Sequence, residues 1–529
     1  MYKTIQKDEG KEMEALSQMN YGWLSVVPPL VAIILALITK EVISSLIIGI
    51  LTGALIYSYG NPVGMIMNTF TVMGDRMSGN VNILIFLGLL GALVVVITRA
   101  GGSAAYGNWA VQRIKTRKGA SLATCALGCL IFIDDYFNCL SVGTVMRPVT
   151  DKHRISRAKL AYLLDATAAP VCIIAPVSSW GASVATYIEE AGVGNGMSTF
   201  VRLIPYNLYA ITTIVMILII CVTNLNFGPM GKFEKNAIEH GDLFSGNGEI
   251  KSDEVQNSEV SGKGKVYDLI IPILVLIAAT IMAMAYTGGA FGGGCSFTES
   301  FGNCDSSLSL VLGSFIALVA AFFLFVPRRV ISFRSFMEGI TEGIKSMVPA
   351  FTILILAWSI GGICSVEYLN TGGFVGNLVN NSSFPVFVLP AITFLVASFL
   401  GFATGTSWGT MALLIPIGAA ICTPSGTQHL VMPVLGSILA GAVFGDHISP
   451  ISDTTILSST GASCNHIDHV STQVVYAGVA AGCCAVGYVL MGILGNGILS
   501  VLATLALLIL VLFVISVKWK TRIDYSQIK

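Results

Sequence analysis

Charged side chains are scarce in this sequence. Only 11% of its 529 residues are Asp, Glu, Lys or Arg, against about 25% in soluble domains, whereas 54% are hydrophobic. The 29 basic residues balance the 29 acidic ones, so no net positive field is available to attract nucleic acid. A phosphate-binding G-x-x-x-x-G-K-[ST] loop is absent, which excludes direct use of ATP by this chain. At about 20 apolar residues per crossing, the composition predicts an all-α polytopic membrane protein with about ten to twelve spans.

Disulfide and signal-peptide patterns are also weak. Most of the 12 cysteines lie in apolar runs, where they behave as small hydrophobic side chains. Cys295 and Cys304 lie in a Gly-rich polar loop, and the sequence leaves open whether they form a bridge. Residues 1–22 are a polar segment that mixes acids and bases without a cleavage pattern. The apolar run that begins at Trp23 is therefore predicted to be the first span.

Long apolar runs divide the chain into two membrane halves. Residues 224–265 are rich in Gly, Ser, Asn and charge, and they predict a flexible cytoplasmic linker. The linker separates a first repeat at 23–223 from a second at 266–493, and residues 494–529 add a C-terminal helix and a cytoplasmic tail. The predicted plain membrane helices are residues 23–39, 43–59, 81–98, 203–223, 266–286, 307–326, 347–362, 470–493 and 496–517.

Each half also contains a hairpin and an interrupted span. In residues 119–146 two short apolar arms are broken by Asp134 and Asp135 between two basic loops, which predicts a re-entrant hairpin that enters from the cytoplasm. Residues 384–421 have the same form without basic flanks, which predicts a hairpin that enters from outside. A long span with a polar break follows each hairpin, at residues 160–188 and 430–460.

The two halves resemble each other and are predicted to be inverted. The stretch at 174–178, IAPVS, resembles ISPIS at 448–452, which indicates an internal repeat. Five predicted crossings precede the linker, so the second copy starts on the opposite side of the membrane. The distribution of Lys and Arg places the N-terminus outside, and the linker and the C-terminus in the cytoplasm.

Acidic side chains lie at or beside these breaks. A bare carboxylate near the membrane centre costs at least about 2.5 kcal/mol and is functional by default, although capping of a half-helix is an alternative. Asp165 has no capping position, because it lies inside the apolar helix LAYLLDATAAP. One carboxylate can accept either H⁺ or Na⁺ but not both, which is antiport in its simplest form. The predicted coupling residues are Asp134, Asp135, Asp165, Asp446 and Asp453.

Hydroxyl groups cluster at the same breaks. Hard cations prefer oxygen ligands, although Ser and Thr in membrane helices also bond to helix carbonyls. A Na⁺ ion is predicted at Asp165, Asp453, Ser452 and Thr406, and no cofactor is predicted besides the transported Na⁺ and H⁺. The predicted substrate-binding residues are Asn138, Ser178, Ser179, Trp180, Thr404, Thr406, Ser407, His447, Ser449, Ser452 and Thr454.

Several readings of these residues stay open. His466 and His469 are predicted to lie at the cytoplasmic mouth and to tune activity to internal pH. Trp180 and Trp408 suggest aromatic walls for an organic substrate, or simple packing. Ser407 lies in a G-x-S-x-G pattern, and with His447 it makes an intramembrane serine hydrolase a remote alternative, without the expected strand-to-helix elbow. A channel is a third class, but hairpins that close from opposite sides favour alternating access.

Three long motifs carry a family resemblance. They are GDHISPISDTTILSSTGASCNHIDHVSTQVVYA, IFIDDYFNCLSVGTVMRPVTD and RAKLAYLLDATAAPVCIIAPVSSWGA. Together they resemble the NhaC-type sodium/proton antiporter family of bacteria, and the resemblance covers both halves. By position it implies site roles for Asp134, Asp135, Asp165, Asp446, Ser449, Ser452, Asp453 and Thr454.

The resemblance also implies a fold and an activity. It implies inverted repeats, paired re-entrant hairpins and a homodimeric scaffold with a moving transport domain in the bacterial inner membrane. The implied activity is not enzymatic: cytoplasmic Na⁺ is exchanged for external H⁺ by an elevator-like form of alternating access. Related members exchange small carboxylates or amino acids, so an antiporter of an organic solute such as malate or lactate stays an alternative. The expected partners are Na⁺, H⁺, this solute and the lipid bilayer.

Overall fold

The described part of the chain is helical and apolar. The structure, a computed structural model, describes residues 21–39, 42–246, 261–292, 300, 304–365, 367–371, 374, 385–422, 427–450, 452–521 and 523. Within these ranges there is no β-strand, and eight helices are long and apolar enough to cross a membrane. The number rises to ten if each of two bent helix pairs is one span. The predicted all-α polytopic class is confirmed.

The first half holds one helical hairpin and one interrupted helix. The hairpin arms are α6 and α7, and the interrupted helix consists of α8, α9 and α10. In chain order the helices are α1 (Val27–Thr39), α2 (Val42–Tyr57), α3 (Pro62–Gly79), α4 (Val81–Arg99), α5 (Gly102–Arg113), α6 (Arg117–Leu130), α7 (Asp135–Lys152), α8 (Arg157–Thr167), α9 (Ala169–Cys172), α10 (Ser179–Glu190), α11 (Gly196–Leu203), α12 (Leu208–Thr223) and α13 (Gly228–Glu239).

The second half repeats this order of elements. Its hairpin arms are α18 and α19, and its interrupted helix consists of α20 and α21. The opposite orientation of the two repeats, and their exact limits, stay predictions. In chain order the helices are α14 (Tyr267–Thr287), α15 (Ser306–Phe325), α16 (Phe333–Ser346), α17 (Val348–Cys364), α18 (Leu389–Thr404), α19 (Ser407–Ile421), α20 (Val431–His447), α21 (Asp453–Ala462), α22 (His466–Leu494) and α23 (Gly497–Lys518).

Polar side chains satisfy the backbone where the helices stop. At the first hairpin, Asn138 Nδ2 donates to the carbonyl oxygens of Gly128, Ile131 and Thr167 at 2.7, 3.0 and 3.1 Å. At the second hairpin, Gly405 turns the chain with a left-handed φ of 65°, a conformation that glycine adopts without strain. Backbone groups that are freed inside a membrane need such partners, because lipid offers none.

Glycines bring the hairpins against the interrupted helix of the second half. A Cβ added to Gly143 of α7 would lie 2.5 Å from the backbone of Gly461 in α21. A Cβ added to Gly445 of α20 would lie 2.1 Å from the carbonyl oxygen of Ser398 in α18. The first hairpin therefore packs directly on the second half, and the two halves form one interlocked body.

The predicted flexible linker differs from the structure at its start, where α13 forms. Glu234 of α13 is fully buried, forms an ion pair with Arg117 and lies 3.3 Å from Lys159 Nζ. Burial raises the pKa of Glu234, but the charges of Arg117 and Lys159 outweigh it and lower the pKa to about 2. This buried charge cluster orders residues that composition alone assigns to a linker. Residues 1–20 and 247–260, and Cys295 of the predicted bridge, lie outside the described residues.

Candidate functional site

The first break and the second hairpin meet through two tryptophans. The rings of Trp180, at the start of α10, and Trp408, at the start of α19, have centroids 5.1 Å apart. Both side chains are buried. This contact places the beginnings of two half-helices side by side, and the polar residues next to the tryptophans come together there.

Asp446 lies at the end of α20 and receives two hydrogen bonds from the second hairpin. The backbone N–H and the hydroxyl of Ser407 donate to Asp446 Oδ2 at 3.1 and 2.7 Å. Ser452, in the second break, lies close to this carboxylate. Asp446 is buried. The acid therefore joins the second hairpin to the second break.

Asp134 and Asp135 lie at the tip of the first hairpin, and both are buried. Ser179 Oγ donates to Asp134 Oδ2 at 3.1 Å, and the backbone N–H of Ser179 donates to the Ile133 carbonyl at 2.9 Å. The indole N–H of Trp180 faces Asp135. The first tip is thus docked on the start of α10, as the second tip is docked on the end of α20.

Tyr136 connects these acids to Asp453. Its hydroxyl donates to Asp453 Oδ2 at 3.1 Å, and it lies within electrostatic range of Asp134, Asp135 and Asp446. Asp453 itself is exposed, which gives this set of acids one accessible member. We call the following set the tip cluster: Asp134, Asp135, Tyr136, Ser179, Ser407, Asp446, Ser452 and Asp453.

The tip cluster is rich in negative charge. Within the described residues, no Lys or Arg forms an ion pair with Asp135, Asp446 or Asp453. Carboxylates that approach one another in a buried space repel unless a cation or a proton compensates them. The arrangement can therefore hold a small cation between carboxylate and hydroxyl oxygens, or a proton on one of the acids.

Asp165 lies in a second polar cluster that is fully buried. Its Oδ2 accepts hydrogen bonds from Gln473 Nε2 at 2.7 Å, from Thr455 Oγ1 at 3.2 Å and from His469 Nε2 at 3.3 Å. His447 Nε2 lies 4.0 Å from the same oxygen. Asp165 Oδ1 has no hydrogen-bond partner among the described residues. We call these residues, with Tyr209, the Asp165 cluster.

His447 links the two clusters. It follows Asp446 in the chain, its Nδ1 is 2.7 Å from the hydroxyl of Tyr209, and its backbone carbonyl accepts a hydrogen bond from Gln473. Asp165 and Asp446 are also close enough to interact electrostatically. A charge that arrives at Asp446 is therefore felt at Asp165.

The residues of the predicted Na⁺ site have different hydrogen-bond partners, and the site itself stays a prediction. In the described part of the chain no hydrogen bond joins Asp165 to Asp453, Ser452 or Thr406. Asp165 contacts Thr455 instead, two residues after Asp453. Across the same described ranges, no group of three or more His, Cys, Asp or Glu side chains has the geometry of a metal site. The predicted ligands therefore fall in two neighbouring clusters, the tip cluster and the Asp165 cluster.

Several of the predicted hydroxyl groups bond to the backbone. Ser178 Oγ donates to the carbonyl of Cys172 and accepts from the N–H of Gly181, and both distances are 2.8 Å. Thr404 Oγ1 donates to the Leu400 carbonyl at 2.8 Å, and Ser449 Oγ donates to the Phe402 carbonyl at 2.8 Å. Thr406 caps α19, and the Thr454 hydroxyl lies 3.0 Å from that of Ser452. These groups hold the breaks in shape.

Five residues of the site have no role in the sequence prediction, or a different one. Tyr136, Tyr209 and Gln473 are not predicted, and Thr455 is predicted only as one of the hydroxyls of the second break. His469 is predicted at the cytoplasmic mouth although it is fully buried at Asp165. His466 instead contacts the Pro450 carbonyl and the Ser459 hydroxyl. A usable signal exists: His469 and Gln473 are four residues apart, so they share one face of α22.

The serine-hydrolase pattern is not assembled. The hydroxyl of Ser407 donates to Asp446 and to the Ala442 carbonyl, whereas His447 Nδ1 pairs with Tyr209. A serine nucleophile needs a base within hydrogen-bond reach. The hydrogen bonds of Ser407 go to Asp446 and to the Ala442 carbonyl, and none joins it to His447 among the described residues.

Comparisons with known proteins agree with this architecture. A family model described as the Na⁺/H⁺ antiporter family matches residues 171–493. An uncharacterised protein of Haemophilus influenzae is 40% identical over 524 residues, 95% of this chain and 97% of that protein. A malate-2H⁺/Na⁺-lactate antiporter of Bacillus subtilis is 29% identical over 216 residues, 36% of this chain and 43% of that protein. The solved YdaH transporter of Alcanivorax borkumensis matches 81% of this chain and 89% of its own with a TM-score of 0.51 at 12% identity, which shows similarity of fold alone.

Proposed function

Because the chain belongs to the Na⁺/H⁺ antiporter family, and is therefore a multi-span secondary transporter, we propose that it exchanges cytoplasmic Na⁺ for external H⁺. The observation that carries this proposal is the acidic tip cluster and the Asp165 cluster that lies beside it. One cluster offers carboxylate and hydroxyl oxygens to a cation, and the other offers a fully buried carboxylate to a proton. Their electrostatic contact supplies the coupling that an antiporter needs.

In the proposed cycle Na⁺ binds in the tip cluster. Asp446 supplies the charge, the hydroxyl of Ser407 already donates to its Oδ2, and the hydroxyl of Ser452 lies nearby. Hard cations bind oxygen ligands, and two neutral hydroxyls add ligands without adding repulsion. These contacts favour Asp446, rather than Asp165, as the acid nearest to Na⁺. Exposed Asp453 serves as the first contact for a cation that arrives from water.

The proton is carried by Asp165. All of its described donors converge on Oδ2, which leaves Oδ1 for the proton. A cation at Asp446 favours the ionised form of Asp165, because a nearby positive charge stabilises a carboxylate. Binding of Na⁺ therefore expels H⁺, and protonation of Asp165 from the opposite side expels Na⁺. An inward proton gradient drives Na⁺ export, since each pH unit is worth about 1.4 kcal/mol per proton.

The alternating step moves the hairpins with the two broken helices. We propose that they shift as a unit past a dimeric scaffold, in the elevator manner, in a bacterial inner membrane. Half-helix ends at the centre of a membrane protein are the usual place for ion sites in secondary transporters. The closed contact of Trp180 with Trp408 supports an ion site that is open to one side of the membrane at a time.

Purified protein in vesicles that contain a pH dye tests the function. External Na⁺, Li⁺ or K⁺ is added in turn. We expect Na⁺ to release protons from the vesicle interior that contains the dye. If the exchange is one for one, the rate of proton release is equal at zero and at an imposed membrane voltage. Absence of proton movement with every cation would rule out the proposed exchange.

Antiport of a small organic solute is the second candidate. The buried tryptophan pair beside the acids favours it, because aromatic faces line many organic-ligand sites. One relative is named as an antiporter of malate and lactate. Adding malate, lactate or amino acids to the same vesicles separates the candidates: a solute that is required for Na⁺-dependent proton movement identifies the second, and a solute without effect identifies the first.

A further inference from the structure

The helices form two packing groups. Helices α1 to α4 pack with α14 to α17, and we call these the scaffold group. The hairpins and the broken helices pack with α12 and α22, and we call these the hairpin group. One seam between the groups lies where α10 and α19 of the hairpin group meet α17 of the scaffold group, and further contacts join α18 to α1 and α10 to α4. Any relative movement of the groups has to break contacts at that seam.

At this seam the two oxygens of the Glu190 carboxylate are both hydrogen-bonded by residues of the scaffold group. Glu190, the last residue of α10, accepts from Arg76 Nη1 at 3.0 Å and from Asn80 Nδ2 at 2.6 Å. Arg76 and Asn80 belong to the scaffold group, at the end of α3 and just beyond it. The second guanidinium nitrogen of Arg76 lies 3.2 Å from Glu367 Oε2. The scaffold group therefore binds the end of α10, and the beginning of α10 carries Ser179 of the tip cluster.

The contact of Arg76 and Asn80 with Glu190 lies at the edge of a cavity between the two groups. The cavity has a volume of about 410 Å³. Its lining includes Arg76, Glu190 and Glu367 on one side and Ala412 and Pro416 of α19 on the other. In the predicted topology, α10 and α17 end on the external side, so this cavity opens to the outside. The ion pair therefore stands between the external medium and the second hairpin.

Local packing fits a contact that forms and breaks. The side chains of Arg76 and Glu190 are 23% and 19% exposed, so water can replace each partner. Partly exposed ion pairs add little to overall stability. Gly362 of α17 leaves room for the guanidinium, because a Cβ there would lie 2.8 Å from Arg76 Nε. By contrast, the buried pair of Arg117 with Glu234 lies wholly outside this seam and has no water to replace it.

We propose that Arg76 and Asn80 hold Glu190 as an external latch, which keeps the hairpin group in the position seen here and opens once in each transport cycle. The proposal rests on the proposed function for its place in the cycle, but the latch itself is a property of the seam. Arg76, Asn80 and Glu190 are positioning residues, since they act through α10 on the tip cluster. Weakening the latch shifts the population of the two access states by the free energy that the contact contributes.

A native cysteine reports on the latch without any transport. Cys364 lines the same cavity. A membrane-impermeant maleimide is added to the full-length protein in vesicles, and the modification of Cys364 is followed by peptide mass spectrometry, which distinguishes it from the other cysteines. In Glu190→Gln the pair is lost, and in Asn80→Asp a repulsive carboxylate faces Glu190. We expect both variants to change the labelling rate of Cys364 by about fivefold.

The control is Arg334→Gln, which removes an ion pair within α16 from a side chain that is 89% exposed. We expect its Cys364 labelling to match the wild type, and Arg76→Lys, which keeps the charge, to lie near the wild type. Wild-type labelling rates in both Glu190→Gln and Asn80→Asp would overturn the latch.

Transport then places the latch in the cycle. In the vesicle assay we expect Glu190→Gln to change the ratio of apparent Na⁺ KM values on the two sides by about fivefold, with a smaller change in maximal rate. A wild-type ratio of the two KM values, in a variant whose Cys364 labelling has changed, would overturn the role in the cycle. If no exchange occurs even in the wild type, the proposed function fails, and the labelling result still decides the latch.

Discussion

At the scale of single residues, the hydroxyl groups beside the breaks divide into two kinds. Ser407 and Ser179 donate to buried carboxylates, whereas Thr404 and Ser178 donate to helix carbonyls. Both kinds look alike in the sequence, because a serine at a break fits either role. The partner of each hydroxyl therefore decides whether it belongs to the transport chemistry or to the local helix end.

Ser407→Ala tests this division. Loss of the hydroxyl removes a 2.7 Å hydrogen bond to Asp446, and such bonds to charged groups are worth about 1.5–3 kcal/mol. We expect the apparent KM for Na⁺ in vesicles to rise at least about tenfold. Thr404→Ala is the matched control, because its hydroxyl bonds to the Leu400 carbonyl, and its KM is expected to stay near the wild type. Equal effects of the two variants would contradict the assignment of Ser407.

Asp165→Asn tests the proton carrier. The amide keeps the size of the side chain but removes the charge that Gln473, Thr455 and His469 face. We expect Na⁺-driven proton movement to fall to the level of empty vesicles. Asp305→Asn, at an exposed helix cap, provides the control and is expected to retain the wild-type rate. Full coupled exchange by Asp165→Asn would remove this carboxylate from the mechanism.

At the scale of helices, close backbone contacts fix how the hairpins sit. A Cβ on Gly461 would lie 2.4 Å from the carbonyl oxygen of Cys139, whereas a Cβ on Gly478 of α22 would meet nothing within 4 Å. We expect Gly461→Ala to lower the unfolding free energy by about 1–3 kcal/mol through overpacking. Gly478→Ala should be neutral or slightly stabilising, because alanine favours helix. Thermal unfolding in detergent measures both, and an unchanged melting temperature for Gly461→Ala would argue against the packing of α7 on α21.

The charge cluster of α13 makes stability depend on acid. The pKa of Glu234 is lowered from about 4.5 to about 2, so its stabilising effect is complete above about pH 4.5 and is lost as the pH falls towards about 2. This corresponds to about 3 kcal/mol. We expect Glu234→Gln to lower the melting temperature at pH 7, because Arg117 and Lys159 lose their partner. Between pH 5 and pH 3 the wild type should lose stability faster than the variant, and parallel curves would contradict this role.

The hairpins and breaks could be predicted from the sequence because a polar interruption inside an apolar run leaves few structural choices. The amphipathic helices α3, α5, α13 and α16 could not, since they lack long apolar runs. At the site, the acids and Ser407 were predictable as polar groups inside the membrane. The contacts of Thr455 and Gln473 with Asp165 were not, because the packing of α21 and α22 on α8 brings them together. The separation of the two clusters depends on the same long-range packing.

At the scale of the whole molecule, the predicted topology ties the latch and the charge cluster to opposite sides. Arg76, Glu190 and Glu367 gather at one end of the structure, and the ends of α10 and α17 carry two of them. Arg117, Glu234 and Lys159 gather where α6 and α8 begin. Under the predicted topology the former are external and the latter cytoplasmic.

Side-specific labelling tests this topology. A cysteine placed at Glu367 should react with an impermeant thiol reagent added to intact cells, and one placed at Lys235 should react only after the membrane is opened. Both native side chains are exposed, so the substitutions leave the packing intact. The reverse pattern would invert the assigned direction of exchange, and labelling of both from one side would contradict the inverted repeats.

The packing of the first hairpin on α21 also determines when, during biosynthesis, the hairpin can reach its final packing. Arg147, at the base of that hairpin, pairs with Ser463, which follows 316 positions later. At ribosomal rates of about 5–20 residues per second, the partner surface is made roughly 15–60 s after the hairpin itself. During that interval the face of α7 that packs on α21 has to be tolerated in a bilayer without its partner helix. Nascent chains of this architecture therefore depend on the insertion machinery to shelter an unfinished hairpin until the last third of the protein is translated.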